Sequence, residues 1–432
     1  MVKVVRRKDI PKGVRKEATT PFIVETRRLL KMLFSLSTKK IAGLRLMAIF
    51  FLMNISCLFL SIAPTEGAPT SFPHGLTIND PTKAYQGYTL YCISGMDKVI
   101  VLDMAGNEVH TWNIPGMDSL VKPLPNGRIL TSIENKAVTE LDWDGNVQWE
   151  YKLPPFLSII HHDFQRLPNG NTLILVGKIK KSPKVTPIEI KDDQIIEVTP
   201  AGEIVWRWST AKHFNQLGLS DEAREIIRKG DVPRDLFHTN SIQSLPPNQY
   251  ELTDPRFKAG NILVSQRETN LVYIIDKTTR NIVWTLNTQT IGQHHSKMIP
   301  QELPGAGNIL LFNNGGRAGY PRIWSLFSRV LEIIPPTSQV SWTYNAQLLE
   351  GKSLNTFFSV YRSSSQRLAN GNTLVMESQW GRIFEVTPLG EIVWEYIVPY
   401  YRTYLGDYTN QIYRAYRVDP GWLDGTMTEF IW

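Results

Sequence analysis

Apolar and polar residues alternate along most of this chain in short runs broken by Gly, Pro, Asn and Asp. That is the pattern of half-buried strands joined by tight turns. One unit recurs six times: Val99–Trp112, Val138–Trp149, Ile195–Trp206, Tyr273–Trp284, Val330–Trp342 and Ile383–Trp394. Each reads as strand, turn, strand and ends in Trp. A second strand–turn–strand unit precedes most of these: Leu124–Leu130, Leu167–Leu173, Leu303–Leu310 and Leu368–Leu374, with a looser copy from Leu245-Pro246 to Gly260–Leu263. Two successive hairpins make one four-stranded sheet. Such a sheet cannot bury both faces alone, but a ring of them can, with each Trp wedged between neighbours and the edges protected by closure. The expected fold is therefore all-β: a six-bladed β-propeller over residues 80–422, its last blade completed by strands from both chain ends, near 87–93 and 412–418.

Three intervals break the period. A helix is predicted over Asp221–Lys229 with Ser220 as N-cap. Asn248–Ala259 and Gly315–Leu326 read as loops. Insertions in propellers gather on one rim, usually the functional one.

Charge divides the chain. Residues 1–45 carry 13 Lys and Arg against 3 Asp and Glu, whereas the rest carries 34 against 37. The body is thus no basic nucleic-acid binder. The basic lead, cytoplasmic or non-native, precedes the uncharged apolar run Leu46–Ala63, and Pro64, Gly67 and Ala68 follow. Residues 46–68 are expected to act as a signal-peptide core or membrane anchor, with the body exported to the periplasm or cell envelope. The membrane is touched only through this segment. Initiation at Met32 would give a conventional signal peptide. Of the two Cys, Cys57 lies in the apolar run, so the body holds only Cys92 and no internal disulfide.

The candidate chemistry is a set of His. His161-His162-Asp163, His238-Thr239-Asn240-Ser241 and His294-His295 each open the first strand of a blade, and Arg362 takes the same place in a fourth. First strands should line the central channel, so symmetry would gather these motifs at one mouth. Arg267 ends the following strand in the blade of His238, and Asn313-Asn314-Gly315-Gly316 ends the corresponding strand of the next. A metal site is a competing use of the His pairs, but no carboxylate or Cys recurs with them at ligand spacing, and none is expected.

At these motifs the chain resembles the arylsulfotransferase family, the bacterial arylsulfate sulfotransferases that use no nucleotide donor. The resemblance is strongest over His161–Asn171, His238–Ile242, Ile262–Asn270 and Gln293–Gly316. It implies a six-bladed propeller whose active-site His is transiently sulfated by an aryl sulfate and then passes the group to a phenol, with no metal or organic cofactor. The nucleophile falls on His294, with His295 adjacent, and the supporting residues on His162 (or His161), His238 and Arg267. Asn240, Asn313, Asn314, Tyr320 and Arg362 are candidate substrate contacts, and Phe357 and Tyr361 candidate aromatic clamps. Two other functions are open: a quinoprotein dehydrogenase, because Asp276–Trp284 is similar to the repeat of those usually eight-bladed propellers, and a non-catalytic exported scaffold.

Overall fold

Alternation with turns every few residues produces strands throughout a computed structural model that describes residues 74–346, 356–404 and 406–424. The leading segments 1–45 and 46–68 lie outside the described residues. Six antiparallel sheets are blades. In chain order they span residues 88–113, Met117–Lys152, Ile159–Ser209, Thr239–Leu286, His294–Tyr344 and Ser364–Ile397. The first is completed on its inner side by Ile412–Val418, which pairs with Tyr88–Ile93, so both chain ends close the ring as expected. A second closure was not anticipated. Gly75–Asn79, ahead of residue 80, adds a fifth strand to the outer edge of the last blade by pairing with Ile392–Ile397. Among the described residues no helix is long and apolar enough to cross a membrane.

The recurring Trp shows what joins the blades. Each lies on the fourth strand of its blade, and its indole N–H donates to a backbone carbonyl in the outer turn of the next blade. Trp112 reaches Asp142 O, Trp149 Pro200 O, Trp206 Lys277 O, Trp284 Pro335 O and Trp342 Pro388 O, and Trp394 closes the circle on Met104 O, all at 2.8–3.0 Å. Each bond contributes about 1 kcal/mol net and fixes the angle between neighbours. Inside, apolar residues of the middle strands form a chain of clusters at the blade interfaces.

The innermost strands need another device, because one edge of each faces the channel with unpaired backbone groups. Gln165 Oε1 accepts from Ser244 N (2.7 Å), Gln243 Oε1 from Met298 N (2.7 Å) and Gln366 Oε1 from Arg417 N (2.8 Å). Each Gln thus satisfies the inner strand of the following blade. Across the channel the buried carboxylate of Asp163 meets Lys122 Nζ (2.6 Å), Arg414 Nη1 (2.9 Å) and Lys297 Nζ (3.3 Å), and accepts from Ile242 N (2.9 Å). Five blades converge on that side chain. Burial would raise its pKa, but Arg414, Lys122 and Lys297 outweigh burial and hold it well below the usual carboxylate range.

The helix Asp221–Lys229 forms where its pattern predicts. Ser220 Oγ accepts from Ala223 N (3.2 Å), and Gly230 ends it in the left-handed region.

Candidate active site

The first strands enter the channel from one rim, and there they are irregular. Pairing with the second strand slips between Ile160 and Phe164, between Thr239 and Ser241, and between His294 and Lys297. These bulges put His162 (φ 61°) and His295 (φ 53°) in the left-handed region, and His238 (φ 48°), Arg362 (φ 58°) and Ser363 (φ 77°) adopt it just ahead of their strands, at about 1–3 kcal/mol each. Bulges re-aim side chains, and adjacent His take separate directions here. Leu167, Leu245 and Ile299 each donate across the following turn, to Asn171, Asn261 and Asn308, so they hold one position in three blades. Leu303 therefore belongs to an enlarged turn, not to a strand end. Counted back from those residues, His162, Asn240 and His294 are equivalent, and His238 lies two residues earlier. It reaches the same place from a different register.

His294 is buried among polar groups. Its Nδ1 faces Asn314 Oδ1 at 2.7 Å and Gly292 O at 3.0 Å, and its Nε2 accepts the Arg362 backbone N–H at 3.1 Å. Asn314 is oriented in turn, because its Nδ2 donates to Ser359 O (2.7 Å) and Arg362 O (3.0 Å). The tautomer follows: the proton sits on Nδ1 and the lone pair on Nε2. Burial, then the charge of Arg267, pushes the pKa well below that of a free imidazole, so the ring is neutral at pH 7. His295 turns away from this group. It contacts Ser365 O through Nδ1 (3.1 Å) and lies edge-on to Tyr416, and after burial its pKa is lowered most by Arg414 and Lys297. The charge of Arg267 thus acts on His294, and those of Arg414 and Lys297, partners of Asp163, act on His295.

The His162 and His238 rings stand edge to face, 4.6 Å between centroids. His238 Nδ1 is 2.7 Å from Asp235 Oδ2, and that carboxylate also meets Lys191 Nζ at 2.8 Å. Burial would raise the Asp235 pKa, but His238 and Lys191 overcome it and hold it far below its ordinary value. His162 and His161 share a contact between Nδ1 atoms at 2.8 Å, and His161 Nε2 is 3.2 Å from Asp193 Oδ1. The carboxylate claims the His161 proton, so His162 donates and its Nε2 is left as an acceptor. Burial, followed by the positive potential of its neighbours, pushes His162 well down.

His238 and Arg267 border a cleft of about 400 Å³ that is also lined by Asp235, Glu268, Arg317 and Arg322. Arg267 pairs with Glu268, and its Nε is buried without a partner. Among the described residues no three His, Cys, Asp or Glu side chains converge as metal ligands do.

The other expected contacts divide. Asn240 is buried and donates to Gln293 O (2.7 Å), tying two inner strands together beneath the site. Asn313 holds a loop through Ile291 N (2.7 Å). Arg362 contributes its backbone N–H to His294, and its guanidinium reaches Ser94 Oγ (3.1 Å). Tyr320 is buried beneath the Arg322 guanidinium and donates its hydroxyl to Leu236 O (3.0 Å). Tyr361, beside Arg362, accepts from Gln411 Nε2 (2.9 Å). Phe357 packs instead in the core against Phe312, Tyr344 and Phe384. Sequence reasoning missed Asp235, Glu268, Arg317, Arg322 and Tyr413, whose ring centroid lies 6.1 Å from that of His162. The Asp235–His238 spacing was a usable signal, as was the place of Glu268 beside Arg267; the others sit in an insertion or on the returning C-terminal strand.

Fold and site define a six-bladed propeller with a His and Arg cluster at one channel mouth. The chain belongs to the arylsulfotransferase family: the model of that family, described as Arylsulfotransferase (ASST), matches residues 121–398. No curated protein matches the chain. Among solved structures, a protein of unknown function from Bacteroides caccae is similar over 77% of this chain and 98% of its own, at 16% identity and a TM-score of 0.50. A streptogramin B lyase is similar over 77% of this chain and 85% of its own, at 16% identity and TM-score 0.42. Virginiamycin B lyase from Staphylococcus aureus covers 76% and 85%, at 13% identity and TM-score 0.41. At these identities the first likeness speaks to fold alone, and the lower scores carry no argument.

Proposed function

We propose that this protein transfers a sulfuryl group from an aryl sulfate to a phenol, in two steps through a sulfated His294. The observation that carries the reading is the hydrogen-bond chain Asn314–His294, which leaves a neutral imidazole whose Nε2 lone pair faces the Arg362 N–H, in the field of Arg267. Nε2 first exchanges the Arg362 N–H for the donor's sulfur. The new N–S bond forms as the S–O bond to the aryl group breaks, and the phenolate departs with the electron pair of that bond. Arg267 binds sulfuryl oxygens through its free Nε donor. His238, oriented by Asp235, stands at the cleft to protonate the phenolate. Acid–base help of this kind is worth about 10²–10⁴-fold. In the second step the same imidazole takes the proton of an acceptor phenol, whose oxygen forms the new S–O bond as the N–S bond breaks. His294 Nδ1 keeps its proton on Asn314 throughout, so the sulfated ring carries a compensating positive charge until the group leaves. No step calls on a cofactor.

The basic lead and apolar run at the start of the chain support work outside the cytoplasmic membrane. Incubation with an aryl sulfate and mass spectrometry tests the reading. One added sulfuryl group is expected on the peptide containing His294, and its loss together with transfer activity in His294→Asn. Undiminished transfer by that variant removes His294 as nucleophile.

A further inference from the structure

The cleft beside His238 holds more positive charge than one sulfate ester can balance. Three guanidinium groups line it, those of Arg267, Arg317 and Arg322. Arg267 and Arg322 share a single carboxylate, Glu268. Asp235, the other acid on the wall, is engaged by Lys191 and His238. Arg317 is exposed and has no ion pair among the described residues. An aryl sulfate brings one negative charge, which leaves at least one guanidinium without a counter-charge on a cleft of about 400 Å³, room for a single substituted ring.

The loop that carries Arg317 and Arg322 is held in place. It is the insertion between the second and third strands of the fifth blade. Gly319 N donates to Glu268 O (3.0 Å), Ser325 N to Gly315 O (2.8 Å) and Tyr320 Oη to Leu236 O (3.0 Å), so the insertion is tied both to itself and to the fourth blade. At Gly316 a Cβ would lie 2.2 Å from Val360 O, so only glycine lets the loop sit this close to its neighbour. The Arg322 guanidinium lies 5.1 Å from the Tyr320 ring centroid, a contact that fixes its direction.

We propose that Arg317, supported by Arg322, binds a second anionic group, so that the preferred substrates are aryl sulfates carrying a carboxylate on the ring. This rests on the sulfotransferase reading for the place of the sulfate, with Arg267 taking that group and Arg317 the other. Arg317 and Arg322 are specificity residues, since neither touches the sulfuryl group or the bond that breaks.

Calorimetry with His294→Asn, used to prevent turnover, compares 4-carboxyphenyl sulfate with its neutral isostere 4-carbamoylphenyl sulfate. The carboxylate is expected to bind about tenfold tighter or more, as a charge-assisted pair should. The preference should shrink severalfold in Arg317→Gln, again in the His294→Asn background, and vanish when Arg322→Gln is added, with thermal midpoints showing that both variants fold. Equal affinity for the two probes overturns the proposal, as does a preference that survives both substitutions. Sulfate transfer by His294→Asn would remove the nucleophile assignment and leave the carboxylate comparison, repeated under initial-rate conditions, still decisive for Arg317.

Discussion

Three imidazoles, His161, His294 and His295, are buried and a fourth, His162, is partly so, and burial is the first cause of the lowered pKa in each. A neutral His294 is useful to a nucleophile, but it makes stability depend on pH. The unfolded chain binds protons at these His near the ordinary value of 6.5, while the folded chain does not until well below it. The unfolded state therefore holds more protons in that window, and stability is present above 6.5 and lost as pH falls. Each imidazole costs up to about 1.4 kcal/mol per pH unit below that point. The denaturant midpoint should drop steadily from pH 7 to pH 5, ahead of any change at Asp163, Asp193 or Asp235, whose pKa values are held below 3.8. A flat midpoint across that range would show that the imidazoles are hydrated in solution.

The six Trp act at the level of the blade. The residue serves both as a wedge and as a single directed donor, so its two contributions can be separated. Trp284 is buried and donates to Pro335 O at 2.9 Å. Trp284→Phe keeps most of the apolar area but leaves that carbonyl without its partner. A loss of about 1–3 kcal/mol is expected in urea unfolding, from the unmade bond and the small cavity. Transfer activity should hardly change, because the bond lies on the outer strand, far from the channel. A loss below 0.5 kcal/mol (about the spread of ordinary surface substitutions) would mean that apolar packing alone sets the blade angle.

Closure operates on the whole molecule. The C-terminal strand supplies Arg414, and with Lys122 and Lys297 it surrounds Asp163 at the axis. Three basic side chains meet one fully buried carboxylate. Asp163→Asn is nearly isosteric, yet it removes the one carboxylate that, among the described residues, contacts all three. Breaking a buried pair in this way costs about 3–5 kcal/mol. Cooperative unfolding at markedly lower temperature is the expected result, with blade one loosened from blades three to five. An unchanged thermal midpoint would locate the strength of the ring entirely in its blade interfaces.

Most of the architecture was legible in the chain itself. Period-two alternation, turn residues at fixed offsets and a Trp at the end of each repeat are local properties, and local physics is what alternation reports. Six repeats implied six blades because one such sheet cannot bury its own faces. The helix at Asp221–Lys229 carried its cap in plain view at Ser220. The site was legible in part. Repeat position suggested that His162, His238, His294 and Arg267 belong together, but it treated the His as equivalent, and His238 stands in another register. What separates His294 from His295 is a bulge at His295, and a bulge is decided by how two strands share one edge, not by residue type. The pairing of Gly75–Asn79 with the last blade, the meeting of Asp163 with Arg414 across 251 positions, and the arrival of Arg317 and Arg322 at the cleft of another blade all depend on ring closure. Alternation and turn chemistry act between neighbours in sequence and can be read there. Contacts across the axis exist only once the ring has closed, and they decide which side chains meet at the mouth.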